Sequence, residues 1–340
     1  GESAYAERVL RELHRAEGFE QHCELLHGGV ALKTGHLNEA LTSFSRIRPE
    51  YDLKLPALMW TGEALYGTDQ LAAALGCFNR VIEDSPDDQA AIRWAAAINF
   101  DVGAMDDALR HLQRLIDLNP EDFAAHHLMG TIYFDFEKWA EAEDSFRRAY
   151  QYSTGQPARQ KLGCDFARSL LKQREYSEAA VFCRDLIPDA NVLTIQAECA
   201  WVAGGIQKAT ELLIKALAKH PDNHEANLLS GRIYLESGQP EEAIANLEAA
   251  IRVNPVDFDA HFLLTTAFRQ QGRTEQAEKQ FAIQESIREF RVRMAELNDK
   301  AIKNPTDRDV RLELSELCRN IGHMKLARVW KKAAQGCQNN

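Results

Sequence analysis

Apolar residues recur along this chain at helical spacing, in blocks that return after a fixed interval. Ala40, Ala74, Ala108 and Ala142 lie 34 residues apart, and Phe44, Phe78, Leu112 and Phe146 follow them by four. Asp52, Pro86 and Pro120 close the blocks at the same period. The phase returns with Ala209, Ala243 and Ala277, and with Pro221 and Pro255. A period of 34 residues with helical apolar spacing inside it predicts two helices per block, joined by a turn.

With each block numbered 1 to 34, positions 4, 8 and 11 share one face of a first helix (A), and positions 20, 24 and 27 share one face of a second (B). Small residues at 8 and 20 let the two backbones approach, as expected for Gly130 against Ala142 and Gly231 against Ala243. Gly35, Gly103, Gly204, Gly238 and Gly272 all stand at position 15, where helix A must end and the chain needs a permissive φ. Proline at position 32 ends helix B.

These positions make the chain resemble the tetratricopeptide repeat (TPR) family. The unit 224–257 carries Gly231 at 8, Tyr234 at 11, Ala243 at 20, Leu247 at 24, Ala250 at 27 and Pro255 at 32. The unit 123–156 carries Met129, Gly130, Tyr133, Ala142, Phe146 and Ala149 in the matching places. Both depart at position 4, where Asn227 and His126 replace a large apolar residue, which reads as tolerance between repeats. The resemblance implies an all-α fold, a right-handed α-solenoid of stacked helix–turn–helix units. One hairpin buries only half its apolar surface and the next covers the rest, so the core of a 340-residue chain can grow in one dimension.

Eight units are expected at 21–54, 55–88, 89–122, 123–159, 160–189, 190–223, 224–257 and 258–290. The segment TGQPARQ, with Gly155 and Pro157, should absorb the irregular lengths of the fourth and fifth. Residues 1–20 are expected to hold a capping helix, amphipathic over 3–17. No Pro or Gly interrupts Thr274–Lys303, and Phe290, Met294, Leu297 and Ala301 continue its stripe, so residues 291–340 should hold the end of one long helix, a degenerate ninth repeat at 308–336 and a tail.

Charge narrows the function. Lys plus Arg is 40 and Asp plus Glu is 51, a net charge of -11. That balance argues against a general nucleic-acid binder and against attachment to anionic lipid. No stretch approaches the length of a membrane span, so no direct membrane insertion is expected. The first 20 residues have no apolar core of a secretory signal. Seven cysteines at long spacings, with no C-x-x-C, suit a reducing compartment, and a cytoplasmic location is expected.

No nucleophile elbow, phosphate loop, dinucleotide fingerprint or zinc-protease motif occurs, so neither an enzyme nor a cofactor is expected. His126 and His127 are adjacent and point apart, and Pro221 puts a turn between His220 and His224. Cys183 and Cys318 occupy core positions 24 and 11, and Cys337 lies in a polar tail. Acidic pairs such as Asp87–Asp88, Asp106–Asp107 and Glu241–Glu242 fall at helix starts, where carboxylates complement the dipole.

Function is therefore expected in the surface. Positions 2, 5, 9, 12 and 13 of helix A face away from helix B, and the resemblance implies that this concave wall binds extended peptides or helices of partner proteins. One zone is aromatic and acidic: Tyr66, Phe100 and Phe134 at position 12, Asp101 and Asp135 at 13, and Trp201 at 12 further on. These rings either seat apolar side chains of a partner or pack between neighbouring A helices, and packing is the favoured main role. A second zone is basic: Arg93, Lys161, Arg168 and Lys172 could receive a carboxylate or phosphate, or could pair with acids such as Glu198. The carboxylate clamp known in the family needs Lys at 5 and Asn at 9. Here Leu25 and Gly29, then Met59 and Glu63, stand in those places, so a chaperone-tail clamp is not expected. The reading is a non-catalytic scaffold binding a protein or peptide. The alternative is the regulatory or targeting region of a larger enzyme or secretion assembly. Nothing in the pattern bears on oligomeric state.

Overall fold

The computed structural model describes residues 18–48, 52–304, 307–322 and 324–336. The expected cap over 3–17, together with Pro305 and Cys337, lies outside the described residues. Those described form helices and connecting turns, in two compact units within Gly1–Pro120 and Glu121–Ala334.

The first unit holds α1 (Glu20–Lys33), α2 (Leu37–Phe44), α3 (Lys54–Gly67), α4 (Leu71–Asp84), α5 (Gln89–Asp101) and α6 (Met105–Leu118). The second begins with α7 (Phe123–Asp135), α8 (Trp139–Tyr152), α9 (Gln156–Lys172), α10 (Tyr176–Phe182), α11 (Ala190–Val202) and α12 (Ile206–Lys219). It continues with α13 (His224–Glu236), α14 (Pro240–Val253), α15 (Phe258–Gln270), α16 (Thr274–Lys303), α17 (Arg308–Asn320) and α18 (Met324–Gly336). Odd-numbered helices up to α15 are the A helices of hairpins. Within each unit a B helix packs on its own A helix and on the next one, and neighbouring A helices touch directly: α1 with α3, and α9, α11, α13 and α15 in turn. The A helices thus line one wall of each stack.

Two recurring devices set the hairpins. At position 15 the backbone turns left-handed, with φ between 58° and 82°. The Gly238 and Gln239 amides then donate to the Leu235 and Tyr234 carbonyls at 3.1 and 2.8 Å, closing the end of α13. Asp69, Glu137 and Arg174 adopt this conformation without glycine. At the other end, position 34 caps the next A helix. Asp88, Asp189, Asn223 and Asp257 each accept from the amide three residues on, at 2.9 to 3.0 Å.

The close approach within a hairpin differs from the expectation of position 8 against 20. A Cβ added at Gly130 would lie 2.6 Å from Phe146, and one at Gly231 would lie 2.5 Å from Leu247. Position 8 is small because the bulky residue at 24 lies across it. Ala142 and Ala243 are fully buried in the same interfaces.

Two B helices end early. In α2, Thr42 and Ser45 hydroxyls bond to the Asn38 and Thr42 carbonyls, and the chain leaves the helix after Phe44. In the fifth hairpin, Gln156–Arg159 join α9, with Pro157 in its first turn, and α10 has only seven residues. The Gln160 side chain holds the connection that follows, bonding to the amide and carbonyl of Ile187 at 3.1 and 2.8 Å. Leu186 turns inward beside Gly163 and fills the space that small Cys183 leaves. By contrast α16 runs unbroken over 30 residues, about 45 Å at 1.5 Å per residue. Its second half packs Leu297 and Ala301 against Leu314, with Met294 and Trp330 alongside.

Candidate functional site

Within the first unit, the A-helix wall is lined by half-buried aromatic rings. Tyr66 on α3 donates its phenol to Asp101 Oδ2 on α5 at 2.8 Å, and its ring lies 5.1 Å from that of Trp94. Burial, and then this bond into a carboxylate, pushes the Tyr66 phenol up to about 12. Trp94 stacks on Phe78 in the hairpin core at 5.6 Å, and its indole lies near enough to the Glu63 carboxylate to lower that group's pKa. Phe100 is half-buried and Arg93 exposed on α5.

The second unit presents a more charged wall. Arg168 on α9 is the best-connected of its side chains. Its guanidinium donates to Glu225 Oε2 on α13 at 2.9 and 3.1 Å, to Asn191 Oδ1 on α11 at 3.3 Å, and to Asp165 Oδ1 at 3.4 Å. Asp165 also meets His127 Nε2 of α7 at 3.0 Å. One network thereby ties four A helices together. Of the expected basic zone, Arg168 is committed to Glu225 and not to Glu198. Lys161 is exposed, and Lys172 is exposed with its ammonium 5.7 Å from the Trp139 ring.

The expected aromatic zone divides in the same way. Phe134 packs edge-on against Trp139 at 5.0 Å and against Phe146 at 6.2 Å, as part of the core edge, while Asp135 is exposed. Trp201 on α11 donates from Nε1 to Glu236 Oε2 on α13 at 3.0 Å, with Arg232 5.8 Å from its ring. Glu198, one turn before Trp201, is half-buried and makes no ion pair among the described residues. Burial first, then the Glu225 charge, raises its pKa, with Lys172 and Arg232 opposing.

Glu63, Trp94, Asn191, Glu225 and Glu236 are wall residues that the sequence analysis did not single out as binding groups. Trp94 stands at position 6, outside the expected wall positions; for the others the signal was present in the repeat numbering, at positions 2, 9 and 13 of helix A. Which acid meets which ring or cation was not, because that depends on the lateral offset of neighbouring A helices.

His224 Nε2 lies 2.8 Å from Asp257 Oδ2, and His126 stacks on Tyr152 at 5.8 Å. No group of three or more His, Cys, Asp or Glu among the described residues has the geometry of a metal site. Cys183 and Cys318 are fully buried, and burial pushes their thiols up to about 12 and about 11. No described helix is long and apolar enough to cross a membrane.

Comparison with known proteins bears on the fold. A tetratricopeptide repeat model matches residues 196–245 and 228–285, and a model of the anaphase-promoting complex, cyclosome, subunit 3 matches residues 67–149. No curated relative matches the sequence. Among solved structures, a tetratricopeptide repeat protein from Parabacteroides merdae is similar at a TM-score of 0.56 and 18% identity, over 74% of this chain and 100% of its own. The APC/C hetero-tetramer Cut9–Hcn1 holds a chain similar at 0.51 and 14% identity, over 78% of this chain and 52% of its own. Both likenesses are of fold. Repeat spacing, helix hairpins and matching models agree, and the chain is a tetratricopeptide-repeat protein.

Proposed function

We propose that the chain is a non-catalytic scaffold that binds a peptide or helix of a partner protein along the A-helix wall. The observation that carries this reading is how the rings on that wall are held. Tyr66 and Trp201 are each fixed by a bond into an acid of the next A helix, yet stay half-buried at the surface. Rings pre-set in this way offer contact area at little entropic cost.

Selection of a random dodecapeptide display library on the full chain tests the reading. A peptide family should be enriched. Binding of its best member, measured by fluorescence anisotropy, should fall at least about tenfold in the double variant Tyr66→Ala/Trp201→Ala. The same peptide should bind normally to Ile214→Ser, a change at an exposed side chain of a B helix. Normal helicity of each variant must accompany these results. No enrichment, or loss confined to Ile214→Ser, overturns the proposal.

A second reading is favoured by the match to a subunit of a multiprotein complex over 67–149. On that reading the chain is a regulatory or targeting part of a larger assembly. Gel filtration of a freshly opened lysate should then place it far above its 38.4 kDa. Elution at that size counts against it.

A further inference from the structure

One arrangement of wall residues occurs twice, once in each compact unit. In the first, Lys33 ends α1, Glu63 and Tyr66 lie one turn apart on α3, and Asp101 ends α5 and accepts the Tyr66 hydroxyl at 2.8 Å. In the second, Lys172 ends α9, Glu198 and Trp201 lie one turn apart on α11, and Glu236 ends α13 and accepts the Trp201 indole at 3.0 Å. The glutamate leads the ring by three residues, and the ring leads its acid acceptor by 35, in both cases.

The two glutamates share two features. Each is half-buried and makes no ion pair among the described residues. Burial is the foremost cause raising both pKa values, so the charged form is under-solvated in each place. Lys33 opposes that rise at Glu63, and Lys172 and Arg232 oppose it at Glu198, through their charge and without an ion pair. Among the described residues, only the nearby Trp94 indole assists the Glu63 charge as a donor, and no side-chain donor assists Glu198. A carboxylate short of donors in a partly dry site gains from an incoming cation more than an exposed one does. The adjacent ring supplies a flat apolar surface for the stem of a long basic side chain.

We propose that Glu63 with Tyr66, and Glu198 with Trp201, form two equivalent subsites, each taking an arginine or lysine side chain of a partner polypeptide. The inference rests on the reading of the A-helix wall as a protein-binding surface and names the chemistry it selects. The net charge of -11 favours the same class of partner.

The peptides enriched on the full chain provide the test. They should share at least one Arg or Lys, and replacing it by norleucine should weaken binding at least about tenfold. Isothermal titration should find two equivalents of a short enriched peptide per chain. Glu63→Gln and Glu198→Gln, which keep side-chain volume, should each leave one equivalent, and the double variant none. Circular dichroism of the variants should match that of the parent. Enrichment of acidic or purely apolar peptides, or full binding by the double variant, overturns the inference. If Tyr66→Ala and Trp201→Ala still abolish binding in that case, the scaffold reading stands. Absence of any enriched peptide removes both.

Discussion

Asn227 and His261 stand at position 4, where the family pattern carries a large apolar side chain, and both are buried. Asn227 Nδ2 donates to the Pro221 and Asn223 carbonyls at 2.8 and 2.9 Å, and His261 Nε2 lies 3.1 Å from the Pro255 carbonyl. A carbonyl can only accept, so His261 Nε2 is the donor of that bond. The polar residue at 4 thus satisfies the proline at 32, six residues upstream, whose carbonyl faces the turn between repeats. What reads as tolerance in the sequence is a specific bond in the structure. Asn227→Leu should destabilise by about 1 kcal/mol, since it restores an apolar side chain but removes the part-buried bond to the Pro221 carbonyl, while the Asn223 carbonyl keeps the amide of residue 227. Denaturant unfolding followed by helicity measures this, and unchanged stability would return position 4 to mere tolerance. The left-handed residues Asp69, Glu137 and Arg174 make a similar point. The hairpin closes with or without glycine, because two backbone hydrogen bonds offset the steric cost at that position.

Between elements, His224 and Asp257 couple the start of α13 to the cap of α15. The Asp257 carboxylate raises the pKa of His224 against its burial. Burial pushes Asp257 up, but the His224 side chain and the Ala260 amide outweigh it and hold Asp257 below 3.8. The signs are opposite. The histidine's contribution is complete below 6.5 and is lost as pH rises through the raised value. The aspartate's is complete above 3.8 and is lost as pH falls through the lowered one. The pair therefore stabilises most between about pH 4 and 6.5. Thermal scans of the parent and His224→Gln should differ most in that window and converge at higher pH. A gap that stays constant from about pH 4 to 8 would show that charge on His224 contributes nothing.

At the scale of the molecule, stability in stacked hairpins is a sum of neighbour contacts, so a local loss stays local. Arg168 is the sharpest case, since it bonds across α9, α11 and α13 of the second unit. Arg168→Met keeps the stem and removes the charge. Hydrogen exchange in those three helices should accelerate about fivefold, as for a loss of about 1 kcal/mol at a partly exposed pair. Exchange in α3 to α6 of the first unit should not change. An equal rise in both units would show that the molecule opens as one body.

The 34-residue period and the small and bulky places inside it were legible from the residues alone, because helix periodicity and close packing restrict which side chain stands where. Position 15 was legible as a turn, and its glycines gave the reason. The early ends of α2 and α10 were not, since hydroxyls bonding back to carbonyls and a Gln160 clamp 27 residues away from Ile187 carry no periodic signature. On the A-helix wall, the residue types could be read from the numbering. Whether Arg168 is free or bound, and whether Phe134 faces a partner or Trp139, depends on contacts between helices far apart in sequence. Those contacts arise only when the hairpins stack, so the tertiary structure alone decided them.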